Sequence, residues 1–310
     1  MFFISQNRED SSEKNAPQTS DKLQVLSTIK PIQALVLAIA GDHVESAQLI
    51  PDYASPHTYS FKPSDISRIK QADVIFRIDE NFERLLNHAF DNKLANTDII
   101  SLADDKNIQL LSYVGKHNHG ATNTVEPKSK NEQHSHDTHD EKDLHIWTSP
   151  RNLQILATNI ATTLSKLDSK NKQFYASNLA HFNQQLTQLK KTIQAELAPV
   201  KTQPYIVFHN SWQYFAEQFG LQKPVIVDFH EVVSAGSKSI NRIRKKIRNA
   251  NIRCVISSPG VKVERIKAIT EGTLVNIETI DILGANVALN TNTVFTILQK
   301  TGQKIARCLH

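Results

Sequence analysis

Apolar residues fall along this chain in short runs that switch between two spacings. Compact apolar runs over residues 22–29, 47–50, 73–78, 99–102 and 108–113 predict strands. Helical spacing over 31–40, 63–70 and 82–90 predicts the helices between them, with Pro31 at a first helical position and Pro63-Ser64 as initiation residues. Beyond residue 143 a helix over 152–166 is followed by Leu179, Phe182, Leu186, Leu189, Ile193 and Leu197, which step by three and four. Ser169 is placed to cap that longer run and Pro199 closes it. At 1.5 Å per residue it extends roughly 45 Å, more than one small domain needs, and predicts a connector between two lobes. A second alternation then places strands over 205–208, 225–229, 254–257 and 274–277. Its helices fall over 212–219, 239–250, 263–271 and 292–309, the first and third of them ended by Gly220 and Gly272.

Strands alternating with helices build parallel α/β layers. The predicted fold is therefore α/β: two lobes of parallel-type sheet flanked by helices, joined by one long rigid connector helix, with the ligand in the inter-lobe cleft. The divisions are a polar tail over 1–21, a first lobe over 22–168, the connector over 169–199 and a second lobe over 200–310. A chain of 310 residues accommodates two such cores.

Composition narrows the function. Net charge is +5, but the positives are dispersed, and the densest cluster, Arg242 to Arg248, has Ile240, Ile243 and Ile247 at helical spacing. That is the solvated face of an amphipathic helix. Without interleaved aromatics it does not resemble a nucleic-acid groove, so no nucleic-acid partner is expected. The longest apolar stretch, Ile32 to Ala40, contains Gln33 and falls well short of the roughly 18 residues that span a bilayer. An export signal is not visible at Met1-Phe-Phe-Ile, and no cysteine near it could carry a lipid. Spacing leaves Cys254 and Cys308 open between two buried thiols and a bridge.

Histidine is where the chemistry gathers. His57, His145 and His209 each stand at the edge of an apolar run, at the boundaries of separate α/β units. The polar insert 116–143 adds His117, His119, His134, His136 and His139. Neutral imidazole is the commonest side-chain ligand of zinc, copper and nickel. Three imidazoles converging from scattered segments would make a metal site whose fourth position a carboxylate or water can take. Asp281, just after a predicted strand, is the carboxylate of choice, its competing role being to cap loop amides. His43, His88, His181 and His230 read as structural. Three histidines and a water also describe a catalytic zinc, yet the chain has no His-Glu-x-x-His helix. The nearest general-base candidate, Glu231 beside His230, lies at a loop, so no enzyme is expected.

Over residues 22–308 the chain resembles the solute-binding proteins of bacterial zinc ABC importers, the ZnuA-like members of the metal-binding cluster A-I family. The resemblance is carried by Ser-Thr-Ile-Lys-Pro (27–31), Ala-Ser-Pro-His-Thr-Tyr-Ser-Phe-Lys-Pro-Ser-Asp (54–65) and Ala-Asp-Val-Ile (72–75). Leu-His-Ile-Trp-Thr-Ser-Pro (144–150), Val-Phe-His-Asn-Ser-Trp-Gln-Tyr-Phe (207–215), Ile-Asp-Ile-Leu-Gly (280–284) and Arg-Cys-Leu (307–309) complete it. It implies that His57, His145 and His209 bind the metal, with Asp281 or a water fourth, and that Cys254 and Cys308 are bonded. It implies a periplasmic monomer that carries Zn²⁺ to a permease in the inner membrane, a His-rich loop that collects zinc weakly, and a connector that keeps lobe movement small. Where manganese-binding relatives place a carboxylate, this chain has Ser257-Ser258, which disfavours the alternative of a manganese or iron carrier.

Overall fold

The computed structural model describes residues 22–90, 97–114, 142–227 and 237–310. Two four-stranded parallel sheets organise them. The first contains β1 (Gln24–Ser27), β2 (Glu45–Gln48), β3 (Val74–Arg77) and β4 (Asp98–Ser101) in the order β2-β1-β3-β4. The second repeats that order as β6-β5-β7-β8, with β5 Tyr205–Val207, β6 Val225–Ile226, β7 Cys254–Ser257 and β8 Asn276–Thr279. Around the first sheet run α1 (Lys30–Ala40), α2 (Pro63–Gln71), α3 (Arg84–Phe90) and α4 (Pro150–Leu167). The long α5 (Lys172–Leu197) leads to α6 (Gln213–Gln218), α7 (Ser237–Asn249), α8 (Val263–Thr270) and α9 (Thr293–Leu309).

Alternation along the strands explains the layering, because successive side chains point to opposite faces. Val25, Val74 and Phe76 of the first sheet, and Tyr205, Val207 and Ile256 of the second, enter one continuous core. Leu26 and Ile75 enter a separate cluster that includes Ile69 of α2, while Ile206 and Val255 pack with Ile243, Ile247 and Ile266 of α7 and α8. The continuous core runs between the lobes through α1, α4, α5 and α9. Burying each leucine or isoleucine is worth about 1.5–3 kcal/mol, so separating the lobes along this seam is strongly opposed.

The connector is confirmed as α5, 26 residues and about 39 Å long. Tyr175, Phe182, Leu186, Ile193 and Leu197 are its buried residues. Its start differs from expectation. Ser169 opens a short 3₁₀ turn, and the Asp168 carboxylate does the tying, accepting from Tyr175 Oη (2.6 Å) and Asn171 Nδ2 (2.7 Å).

Three strand expectations also need correction: that over 47–50 lies at Glu45–Gln48, paired in register with Gln24–Ser27. Residues 108–113 form no strand, contributing only the isolated Ser112–Lys142 bridge. Their backbone is satisfied by side chains instead: Gln109 N donates to Asn152 Oδ1 and Leu111 N to Tyr214 Oη. The strand expected over 274–277 lies at 276–279, because pairing of Cys254 with Asn276 sets the register and leaves Leu274 fully exposed. Cys254 of β7 and Cys308 of α9 form a disulfide, with Cα atoms 5.4 Å apart. Among the described residues no helix is long and apolar enough to cross a membrane.

Candidate metal centre

Strand ends supply the site, as open parallel sheets require. His209 stands two residues past β5, Asp281 two past β8, and His57 in the segment between β2 and α2. His145 immediately precedes the 3₁₀ turn Ile146–Thr148, which hands the chain to α4 with Ser149 Oγ accepting from Asn152 N. All four residues line one cleft of about 430 Å³, together with Phe82, Trp147 and Ser258.

The His145 ring lies 5.7 Å from that of His57 and 5.0 Å from that of His209, centroid to centroid. Imidazoles sharing a tetrahedral zinc at about 2.0–2.1 Å per bond have centroids separated by about 5 Å. The His145–His209 spacing equals that separation and the His145–His57 spacing exceeds it by about 0.7 Å. Among the described residues no three His, Cys, Asp or Glu side chains stand ready-closed around a point. The rings with room to adjust are His57 and His209, both half-buried, whereas His145 is 3 % exposed.

His145 is held by a residue that sequence reasoning missed. Asp143 Oδ1 contacts His145 Nδ1 at 2.6 Å and also accepts from the His145 backbone N–H at 2.9 Å. A carboxylate on one ring nitrogen fixes the tautomer and leaves the other nitrogen for a metal. Asp143 is fully buried, and its Oδ2 has no partner among the described residues. Its backbone carbonyl accepts from Tyr214 Oη of α6. Burial raises the Tyr214 phenol above its ordinary pKa, which keeps it a donor. The available signal was Asp-x-His spacing, hidden because Asp143 closes a polar insert.

Aromatic rings form the wall. Phe82 meets His57 at 4.6 Å, His145 at 5.6 Å and Trp147 at 5.4 Å. Behind Phe82 the buried Glu83 accepts from Thr28 Oγ1 (2.6 Å) and from the backbone N–H groups of Ile78 and Asp79 (3.1 Å each). Desolvation raises its pKa to about 7, even though these donors and Arg77 pull it down. Asp281 shows the capping role weighed against ligation: Oδ1 accepts from the N–H groups of Leu283 and Gly284, and Oδ2 from Ala285. These bonds fill both acceptor sites of Oδ1 and one of Oδ2, so Oδ2 keeps a lone pair and capping and ligation are compatible.

The remaining histidines divide. His43 packs at a 52° tilt against Phe174 with centroids 4.0 Å apart, and His181 is exposed on α5. His117, His119, His134, His136 and His139, like His230 and Glu231, lie outside the described residues.

Two parallel α/β lobes backed by a long helix, with a histidine-lined cleft where they meet, define a solute-binding protein of the metal-binding type. A family model described as zinc-uptake complex component A, periplasmic (ZnuA) matches residues 25–308, and the chain belongs to that family. The high-affinity zinc uptake system protein ZnuA of Haemophilus ducreyi is 30% identical over 288 residues, covering 92% of this chain and 93% of its own. That of Brucella abortus (strain 2308) is 29% identical over 304 residues, covering 92% and 91%. A crystal structure of ZnuA superposes with a TM-score of 0.74 at 26% identity, covering 94% of this chain and all of that one. The family is that of a zinc-uptake system's binding component, and Zn²⁺ is its ligand.

Proposed function

We infer that this chain captures Zn²⁺ in the periplasm through His57, His145, His209 and Asp281, and delivers it to the permease of an ABC importer. The observation that carries the reading is the grouping of three imidazoles from separate chain segments, at centroid spacings of 5.0 and 5.7 Å, beside one carboxylate. Three neutral imidazoles and a carboxylate leave one net positive charge on bound zinc. As borderline donors they suit zinc better than magnesium or calcium. The 22–168 and 200–310 lobes are the jaws, and the 169–199 segment is the spine that keeps them from swinging far. The protein acts as a monomer and a carrier, not a hydrolase, and the histidines of the 116–143 insert gather zinc weakly.

Calorimetric titration of metal-free protein tests this. The expected result is one tight zinc site plus weak sites, the latter lost on deletion of 117–142, with Mn²⁺ unable to displace zinc at equal concentration. Loss of the tight site with the insert would refute the assignment. Steady hydrolysis of ester or phosphate substrates by the zinc form would move the protein into another class.

A further inference from the structure

Lys30 is the first residue of α1 and is 4% exposed. A cation there is unfavourable twice over, being desolvated and set at the positive end of the helix dipole. Its acceptors offset this. Lys30 Nζ donates to Asp52 Oδ2 (2.6 Å) and to the carbonyls of Val287 (2.8 Å) and Gly284 (3.1 Å), with Ala285 O at 3.5 Å. Asp52 lines the cleft five residues before His57, and the carbonyls belong to the turn that carries Asp281.

That turn is gripped from both chemical sides. Its N–H groups converge on the Asp281 carboxylate, while its carbonyls run outward to the first lobe. Trp147 Nε1 donates to Ile282 O at 2.9 Å, and Tyr53 Oη donates to Asn286 Oδ1 at 3.1 Å. Gly284 has φ +71°, and a Cβ there would lie 2.5 Å from Ile297 Cδ1 of α9, so only glycine lets the turn lie this close to that helix. The second lobe's carboxylate turn thus rests on the first lobe, and one ammonium joins it to the His57 segment.

Resting on the ligand reading above, we propose that Lys30 is a positioning residue for the cargo ion. It sets the distance between the His57 segment and the Asp281 turn, and thereby governs how fast zinc escapes.

The test is stopped-flow release of zinc into excess chelator, with the visible spectrum of the Co²⁺ form as a report on donors. Lys30→Met should speed zinc release about tenfold, as loss of a ligand-orienting partner does. Its Co²⁺ spectrum should move toward that of Asp281→Asn, and the double variant should release zinc no faster than the faster single variant. Amide exchange at 283–285 should quicken in Lys30→Met. Unchanged release from folded Lys30→Met, against accelerated release from Asp281→Asn, would sink only the role given to Lys30. Unchanged release from Asp281→Asn would sink the donor reading itself. Should Lys30→Met not fold, Asp52→Ala keeps the ammonium on the carbonyls but removes the acceptor that links it to the His57 segment. It too should release zinc faster than wild type, and a wild-type rate would overturn the proposal.

Discussion

His145 and His209 approach each other across the cleft, yet the two halves of the molecule present them differently. On the first-lobe side, His145 is buried, its Nδ1 is held by Asp143, and the Phe82 and Trp147 rings flank it. On the second-lobe side, half-buried His209 rides on residues just past β5, and Asp281 sits in a turn whose outer face is tied to the opposite lobe. One half is prebuilt by packing around His145, with Tyr214 of the second lobe behind Asp143; the other depends on strand ends and on the Lys30 and Trp147 bonds from the first lobe. With the ligands proposed above, this difference would place affinity mainly with the first lobe and release mainly with the second.

The largest expected effect sharpens that division through stability. The second lobe carries the disulfide, spanning 54 residues, and loop-closure entropy puts its removal by Cys254→Ser with Cys308→Ser at about 4 kcal/mol. Urea denaturation should register the loss while zinc stoichiometry stays the same. Zinc lost along with stability would mean that the His209 side relies on the staple. Next, Glu83 underlies the first-lobe wall, and its folded pKa of about 7 exceeds its ordinary 4.5. Stability from this group is therefore full below the unfolded value and lost as pH rises through the folded one. The span is on the order of 3 kcal/mol. Glu83→Gln should flatten the wild-type decline in urea midpoint between about pH 4.5 and about pH 8; an unaltered decline would show that Glu83 is ionised throughout.

Zinc affinity compares the halves directly. His145→Ala should weaken tight binding by more than about 100-fold, because it removes the proposed ligand that Asp143 holds in place. His209→Ala should cost less, at least about tenfold, because a water can occupy the vacated position. A reversed ranking by competition titration would overturn the contrast between a prebuilt and a dependent half.

Much of this architecture could be read from the chain because the central strands β1, β3, β5 and β7 are buried on both faces and the connector keeps its three-four stepping. Errors came where distant groups overrode local pattern. Residues 108–113 look like a strand, but Asn152 and Tyr214 take up backbone groups that a ladder would have used. The β8 register follows its pairing with β7 and not the apolar run ending at Ile277. At the site, the three histidines stood out because each closes an apolar run. Asp143 was masked by the polar insert it borders. Lys30 was quoted only as part of a family motif, since the carbonyls it holds begin 254 residues further on.

The shared core has a bearing on how cargo can be unloaded. With Phe76 and Leu186 in the same apolar mass as Tyr205 and Ile305, the two jaws cannot yawn apart without tearing the interior open. Any partner that unloads the ion therefore has only the rim to work on, and there the bonds that Lys30 makes between the segments at 52–57 and 281–287 are what it must break.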